Sequence, residues 1–193
     1  MVSLEPFLSK HLVPILTNGA IYSTPYPIQS LSSNNHFSHH FGCFFEDIPL
    51  SERVRRVNAW CRRLGKDHVA LVSIHVDAAG SDGQWHTSTG WSCYTSPGQT
   101  AGDRLADCFY RAAEKHLQGH KIRMDYSDGD ADKEARFALL TRTRCAAALT
   151  EYGFQDSKES LTFLESPAGK KAVIGLHVEG ILNYLHNRDD GIS

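Results

Sequence analysis

The stretch Val69-Ala70-Leu71-Val72-Ser73-Ile74-His75-Val76-Asp77-Ala78-Ala79-Gly80 constrains the fold more than any other part of the chain. Its first half is a short apolar run rich in β-branched residues, which suits a strand covered on both faces of a parallel sheet. Its second half breaks into small residues and ends at Gly80. His75 stands between the two halves, at the carboxyl end of the predicted strand. Open α/β sheets bind ligands just outside the carboxyl ends of their strands. An imidazole there can reach a metal ion or a substrate from a rigid support. The alternative role for His75 is a core or supporting histidine that makes only a hydrogen bond.

A later run, Cys145-Ala146-Ala147-Ala148-Leu149-Thr150, ends at Glu151 and repeats the arrangement. A buried strand again carries one metal-capable or proton-handling residue to its end. The alternative for Glu151 is a buried carboxylate paired with an arginine.

Helical patterns alternate with these runs. Ser51 is a candidate cap for a helix whose apolar stripe is Val54, Val57, Cys61 and Leu64, and which Gly65 ends. The arginines at 53, 55, 56, 62 and 63 form a solvated face. Residues 79–90 read as a loop containing Trp85 and His86, and 90–95 as a second strand. Thr100 with Asp103 is a capping pair for a helix that runs to about His116. Residues 121–126 read as extended. The turn Ser127-Asp128-Gly129-Asp130 is too short for an EF-hand loop, and Phe137 to Thr141 reads as a short strand. Ser157 opens a short helix, and Ser166-Pro167 opens the last one. The expected stripe of that last helix is Ile174, Val178, Ile181 and Leu185. The sum is an α/β fold with a central, mostly parallel sheet flanked by helices on both faces, and no internal repeat.

Residues 1–45 differ from the rest. They hold one acid, Glu5, and one base, Lys10, against 22 acids and 20 bases in the whole chain. With Pro14, Pro25, Pro27 and a Ser/Asn run, they read as loop with at most a short apolar segment near 11–22. His36, His39 and His40 could bind a metal, or could belong to a polar segment that binds nothing specific. The expected organisation is an atypical N-terminal segment over 1–45, one domain over 46–186 and a tail over 187–193. The net charge of −2 gives no reason to expect nucleic acid or an anionic membrane as partner. No apolar run is long enough for a helical span. Cys43, Cys61, Cys93, Cys108 and Cys145 contain no CxxC pair, so dispersed free thiols are expected. The first residues lack the pattern of a signal peptide, which points to a cytoplasmic location as written.

Several segments together resemble a known family. They are PLSERVRRVNAW, SIHVDAAG, GWSCYTSPGQTAGDRLADCFYRAAEKHL and TEYGFQD before a terminal helix. They are similar to the zinc-dependent N-acetylmuramoyl-L-alanine amidases of the amidase_3 type, closest in wording to a Bacteroides-like branch. The resemblance covers residues 46 to about 186. It implies a peptidoglycan hydrolase that cleaves the amide between N-acetylmuramic acid and L-alanine, with peptidoglycan as partner and zinc as cofactor. It also implies His75 as a zinc ligand and Glu151 as the catalytic glutamate. The family usually has Asn where Asp77 stands.

The family's first strand ends in a Gly-His-Gly turn that supplies another ligand, and a Glu further on supplies a third. The chain has no Gly-His-Gly. The expectation is therefore that residues 1–45 do not correspond to the family's start, leaving core surface uncovered. Two alternatives follow. One is an inactive, wall-binding relative, in which Trp85, Trp91 and Tyr94 could stack on sugars. The other is a zinc carboxypeptidase. In an active enzyme, the N-terminal histidines or His86 would substitute for the missing ligands. The sequence leaves the oligomeric state open.

Overall fold

A computed structural model describes residues 15–17 and 48–189. Among the described residues there are five strands and five α-helices. They are β1 (Ile15–Thr17), α1 (Leu50–Leu64), β2 (Ala70–Asp77), β3 (Trp91–Thr95), α2 (Ala101–His116), β4 (Lys133–Glu134), α3 (Ala138–Arg142), β5 (Ala146–Phe154), α4 (Lys158–Glu165) and α5 (Pro167–Asp189). The sheet order is β1-β2-β5-β3-β4. β1 lies parallel to β2, β2 parallel to β5, and β4 parallel to β3, while β3 runs antiparallel to β5. This is the expected α/β architecture, with the direction reversed once inside the sheet.

The sheet separates two apolar layers, because successive side chains of a strand point to opposite faces. On one face, Ala70, Val72, Trp91, Cys93, Ala146, Ala148 and Tyr152 pack against α2, α4 and α5. On the other, Leu71, Ala147 and Leu149 pack against Val57 and Cys61 of α1 and against Leu139 and Leu140 of α3. Trp91 is 1% exposed and meets Tyr110 edge-on at 5.0 Å, so it is a core residue.

Local signals explain most helix boundaries. Thr100 and Asp103 form the reciprocal capping box of α2. Ser157 caps α4. Gly65 ends α1 at φ +89°, a conformation that disfavours side chains, and its N–H is bonded to Cys61 O at 3.0 Å.

Four expectations need correction. Ser51 does not cap α1, because the helix begins at Leu50 after Pro49 and has no side-chain cap. Residues 138–142 are a helical turn rather than a strand, with Thr141 Oγ1 donating to Phe137 O at 3.0 Å. In α5, the expected stripe holds only in its second half: Leu185 is buried and Ile181 packs against the core, whereas Ile174 and Val178 are 64% and 52% exposed and Leu176, His177 and Tyr184 are buried instead. The face is chosen by close approach. A Cβ on Gly180 would lie 2.4 Å from the Phe109 ring, and one on Gly175 would lie 2.7 Å from the His116 ring. These glycines turn α5 towards α2. Lastly, the β2 edge where a first strand would lie is paired in parallel, with Ile15 opposite Val72 and Thr17 opposite Ile74.

Candidate active site

His75 and Glu151 come together as the sheet register requires. They are direct partners across the parallel β2–β5 ladder, and Ser92 of β3 stands opposite Glu151 on its other side. Register partners project to the same face, so His75, Glu151 and Ser92 form one row across three strands. The row lies on the α1 side of the sheet, beyond the apolar layer of Leu71, Ala147 and Leu149. Glu151 is not the last residue of its strand, as the sequence suggests, because β5 continues to Phe154.

Each member of the row has a defined environment. His75 Nε2 is hydrogen-bonded to Ser73 Oγ, two residues back on the same face, at 2.7 Å. Burial first, and the Arg53 charge second, hold the His75 pKa below its usual value. The ring is therefore neutral at pH 7. Glu151 is pushed up to about 8, by burial first and by the Asp77 carboxylate second, against an opposing effect of Arg123. Its Oε2 is buried without a hydrogen-bond partner. Arg123 acts on Glu151 as a neighbouring charge. Glu151 is a carboxyl group held near the point of ionisation, as a general acid or base requires.

Arg123 completes the wall. Its Nη2 donates to Ser92 Oγ at 2.9 Å and lies 3.6 Å from Asp77 Oδ2. Its guanidinium covers the Phe154 ring at 4.6 Å. The backbone places it, because Arg123 N donates to Trp91 O at 2.7 Å and Trp91 N donates to Lys121 O at 2.9 Å. Sequence reading missed Arg123, Ser73 and Ser92. The two serines carry a period-2 signal, two residues before His75 and two residues after Gly90. Arg123 carries no such signal, since only the short bridge Trp91–Ile122 brings its segment to the sheet.

The loop after β2 is tied to Asp156, just beyond β5. Asp156 accepts from Ala79 N at 3.0 Å and Gly80 N at 2.9 Å, and its main-chain oxygen accepts from His86 N at 2.8 Å. His86 Nε2 lies 3.0 Å from Asp82 Oδ1. His86 therefore serves as a loop staple. Trp85 is 58% exposed beside Lys158, whose Nζ lies 5.4 Å from the ring centroid. Tyr94 meets Phe137 at 5.6 Å. A cavity lined by Arg104, Asp107, Arg111, Tyr184 and Asn187 opens between α2 and α5, on the other side of the sheet, and includes none of the row. His36, His39 and His40 lie outside the described residues.

The register pair His75–Glu151 stands on adjacent parallel strands of an α/β sheet. The family model described as N-acetylmuramoyl-L-alanine amidase (Amidase_3) matches residues 38–183. The chain belongs to this family, and its enzyme class is that amidase. Solved structures agree in fold. An N-acetylmuramoyl-L-alanine amidase from Clostridium difficile 630 is 17% identical with a TM-score of 0.65, covering 92% of this chain and 98% of that one. The catalytic domain of CwlV from Bacillus (Paenibacillus) polymyxa var. colistinus is 17% identical with a TM-score of 0.63, over 91% and 98%. AmiC2 of Nostoc punctiforme is 19% identical with a TM-score of 0.60, over 91% and 97%. No curated protein matches the chain.

Proposed function

We propose that the chain cleaves the amide joining the lactyl group of N-acetylmuramic acid to L-alanine in peptidoglycan, with His75 as a zinc ligand and Glu151 as the proton carrier. The observation that carries this reading is the register pair His75–Glu151, buried on one face with the imidazole neutral and the carboxyl poised.

The family is generally zinc-dependent. His75 has the uncharged ring a metal ligand needs. Glu151 Oε2 lacks the partner that a buried carboxylate oxygen ordinarily has. Catalytic zinc takes three protein ligands, and no group of three His, Cys, Asp or Glu side chains converges among the described residues. His75 therefore fits one part of such a centre. A complete set would draw on residues 1–14 and 18–47, where the sequence has His36, His39, His40 and Glu46.

When bound, zinc supplies an acidified water and polarises a carbonyl. The chain's own residues do the rest. Ser73 fixes the His75 ring by its hydrogen bond. Glu151 takes a proton from the attacking water on its unpartnered oxygen and returns it to the leaving nitrogen of L-alanine. Arg123 sets the electrostatic balance between Asp77 and Glu151, and Ser92 holds Arg123 in place. The Leu71, Ala147 and Leu149 layer beneath the row keeps water from its underside.

A second reading, wall binding without hydrolysis, is favoured by the incomplete donor set among the described residues. Zinc content distinguishes the two. The first reading expects about one zinc per chain in the purified protein, lost in His75→Ala. Zinc at the level of His75→Ala, together with retention on purified sacculi, would establish the second.

A further inference from the structure

The geometry points to a second binding site, in the cavity between α2 and α5, for a short zwitterionic peptide. Arg104 and Arg111 take its carboxylates and Asp107 takes its free ammonium group. The cavity has a volume of about 270 Å³, just below the usual range of small-ligand sites, roughly 300–1,000 Å³. Arg104, Asp107, Cys108 and Arg111 follow one another at steps of three, one and three residues, so they share one face of α2. Tyr184 and Asn187 of α5 line the opposite wall. Cys108 and Tyr184 are 2% and 5% exposed and belong to the core beneath. The Cys108 sulfur accepts from Asn187 Nδ2 at 3.7 Å, which joins the two helices.

The order of charge selects the ligand. A helix rises 1.5 Å per residue, so Arg104 and Arg111 stand roughly 10 Å apart along α2, with Asp107 between them. Arg104 and Arg111 are exposed and Asp107 is half-buried. Among the described residues, none of these three side chains makes a hydrogen bond or a salt bridge. Their charges are therefore open to a ligand. A simple anion meets repulsion at Asp107, and a simple cation meets two guanidinium groups. A molecule with one ammonium and two carboxylates is complementary to all three. Each guanidinium fork can take a carboxylate through two parallel hydrogen bonds. The thiol of Cys108 and the ring of Tyr184 suit a small apolar side chain between the charged groups.

The cavity includes none of His75, Ser92 and Glu151, so binding there needs neither zinc nor hydrolysis. The hydrolysis proposed above releases a peptide that begins with the ammonium group of L-alanine. Naming that product as the occupant rests on the hydrolytic reading, whereas the charge complementarity does not.

The test titrates the full wild-type chain with L-alanyl-D-glutamate, which carries one ammonium and two carboxylates, and follows backbone amide NMR shifts and heat. Two further probes each lack one charge: the same dipeptide acetylated at its nitrogen, and L-alanyl-D-alanine. L-Alanyl-D-glutamate should saturate the chain, with the largest shifts in residues 104–111 and 184–187. Each of the other probes should bind about fivefold more weakly. Asp107→Asn should lose about fivefold for the free dipeptide and nothing for the acetylated one. Arg104→Gln and Arg111→Gln should each weaken the free dipeptide by a similar factor. The proposal is overturned if L-alanyl-D-glutamate does not saturate, if the largest shifts fall around His75 and Glu151, or if the acetylated probe binds as tightly as the free one. These three outcomes are read on the wild type, so a variant that fails to fold leaves the test intact. A chain that binds the dipeptide in this cavity yet leaves sacculi uncut would refute the hydrolytic reading and keep this one.

Discussion

Gly153 sits two residues beyond Glu151 and fixes how β5 meets α4. Its φ is +61°, and a Cβ built there would lie 2.4 Å from Ser160 Oγ and 2.7 Å from Ser160 Cβ. Gly153→Ala thus meets two separate costs. Holding a non-glycine residue in the left-handed region costs about 1–2 kcal/mol. The steric conflict adds about 1–3 kcal/mol, because rotating the Ser160 hydroxyl does not relieve the contact with its Cβ. Ser160 is 4% exposed and held on α4 below its Ser157 cap, so the backbone must shift. The expected loss is about 2–5 kcal/mol. Urea unfolding followed by circular dichroism measures it as a fall in midpoint at constant slope. Ser160→Gly separates the two costs. It removes the steric part, at about 1 kcal/mol of helix propensity, and leaves the φ cost in place. The double variant should be more stable than the sum of the single losses by about 1–3 kcal/mol. A loss below about 0.5 kcal/mol in Gly153→Ala would refute the reasoning, and so would strict additivity in the cycle.

Asp132 is 2% exposed, its Oδ2 accepts from Thr95 Oγ1 at 2.6 Å, and burial first pushes it up to about 7. A folded pKa above the unfolded value gives stability that is present at low pH and lost as pH rises through about 7, so Asp132→Asn should flatten the decline in melting temperature between pH 5 and pH 8. His177 donates from Nδ1 to Val173 O at 2.7 Å, and its Nε2 accepts from Thr150 Oγ1 at 2.8 Å. His177→Leu should cost about 1–3 kcal/mol by urea unfolding, part of which Thr150→Val restores. Glu151→Gln should abolish hydrolysis yet melt no lower than wild type at pH 8, since it removes a buried carboxyl beside Asp77.

His75 and Glu151, two of the row's three residues, are legible because each follows an apolar run, and such runs become adjacent buried strands in an α/β sheet. The capping pair Thr100–Asp103 and the stop at Gly65 are legible because they use local chemistry. The face of α5 is legible only in its second half. Its apolar side chains surround the helix, and the buried side is chosen by the missing side chains of Gly175 and Gly180 against His116 and Phe109. Residues 138–142 form too short a segment for periodicity to separate helix from strand. Arg123 enters the site through tertiary contacts to Ser92, Asp77 and Phe154, which leave no local pattern.

The most direct test is to count amino termini exposed on peptidoglycan. Purified sacculi are incubated with wild type or Glu151→Gln in zinc-containing buffer, and new N-terminal residues are labelled and identified. The account predicts new N-terminal L-alanine with wild type and none with Glu151→Gln. Sacculi that bind the wild-type chain but gain no N-terminal alanine would contradict it.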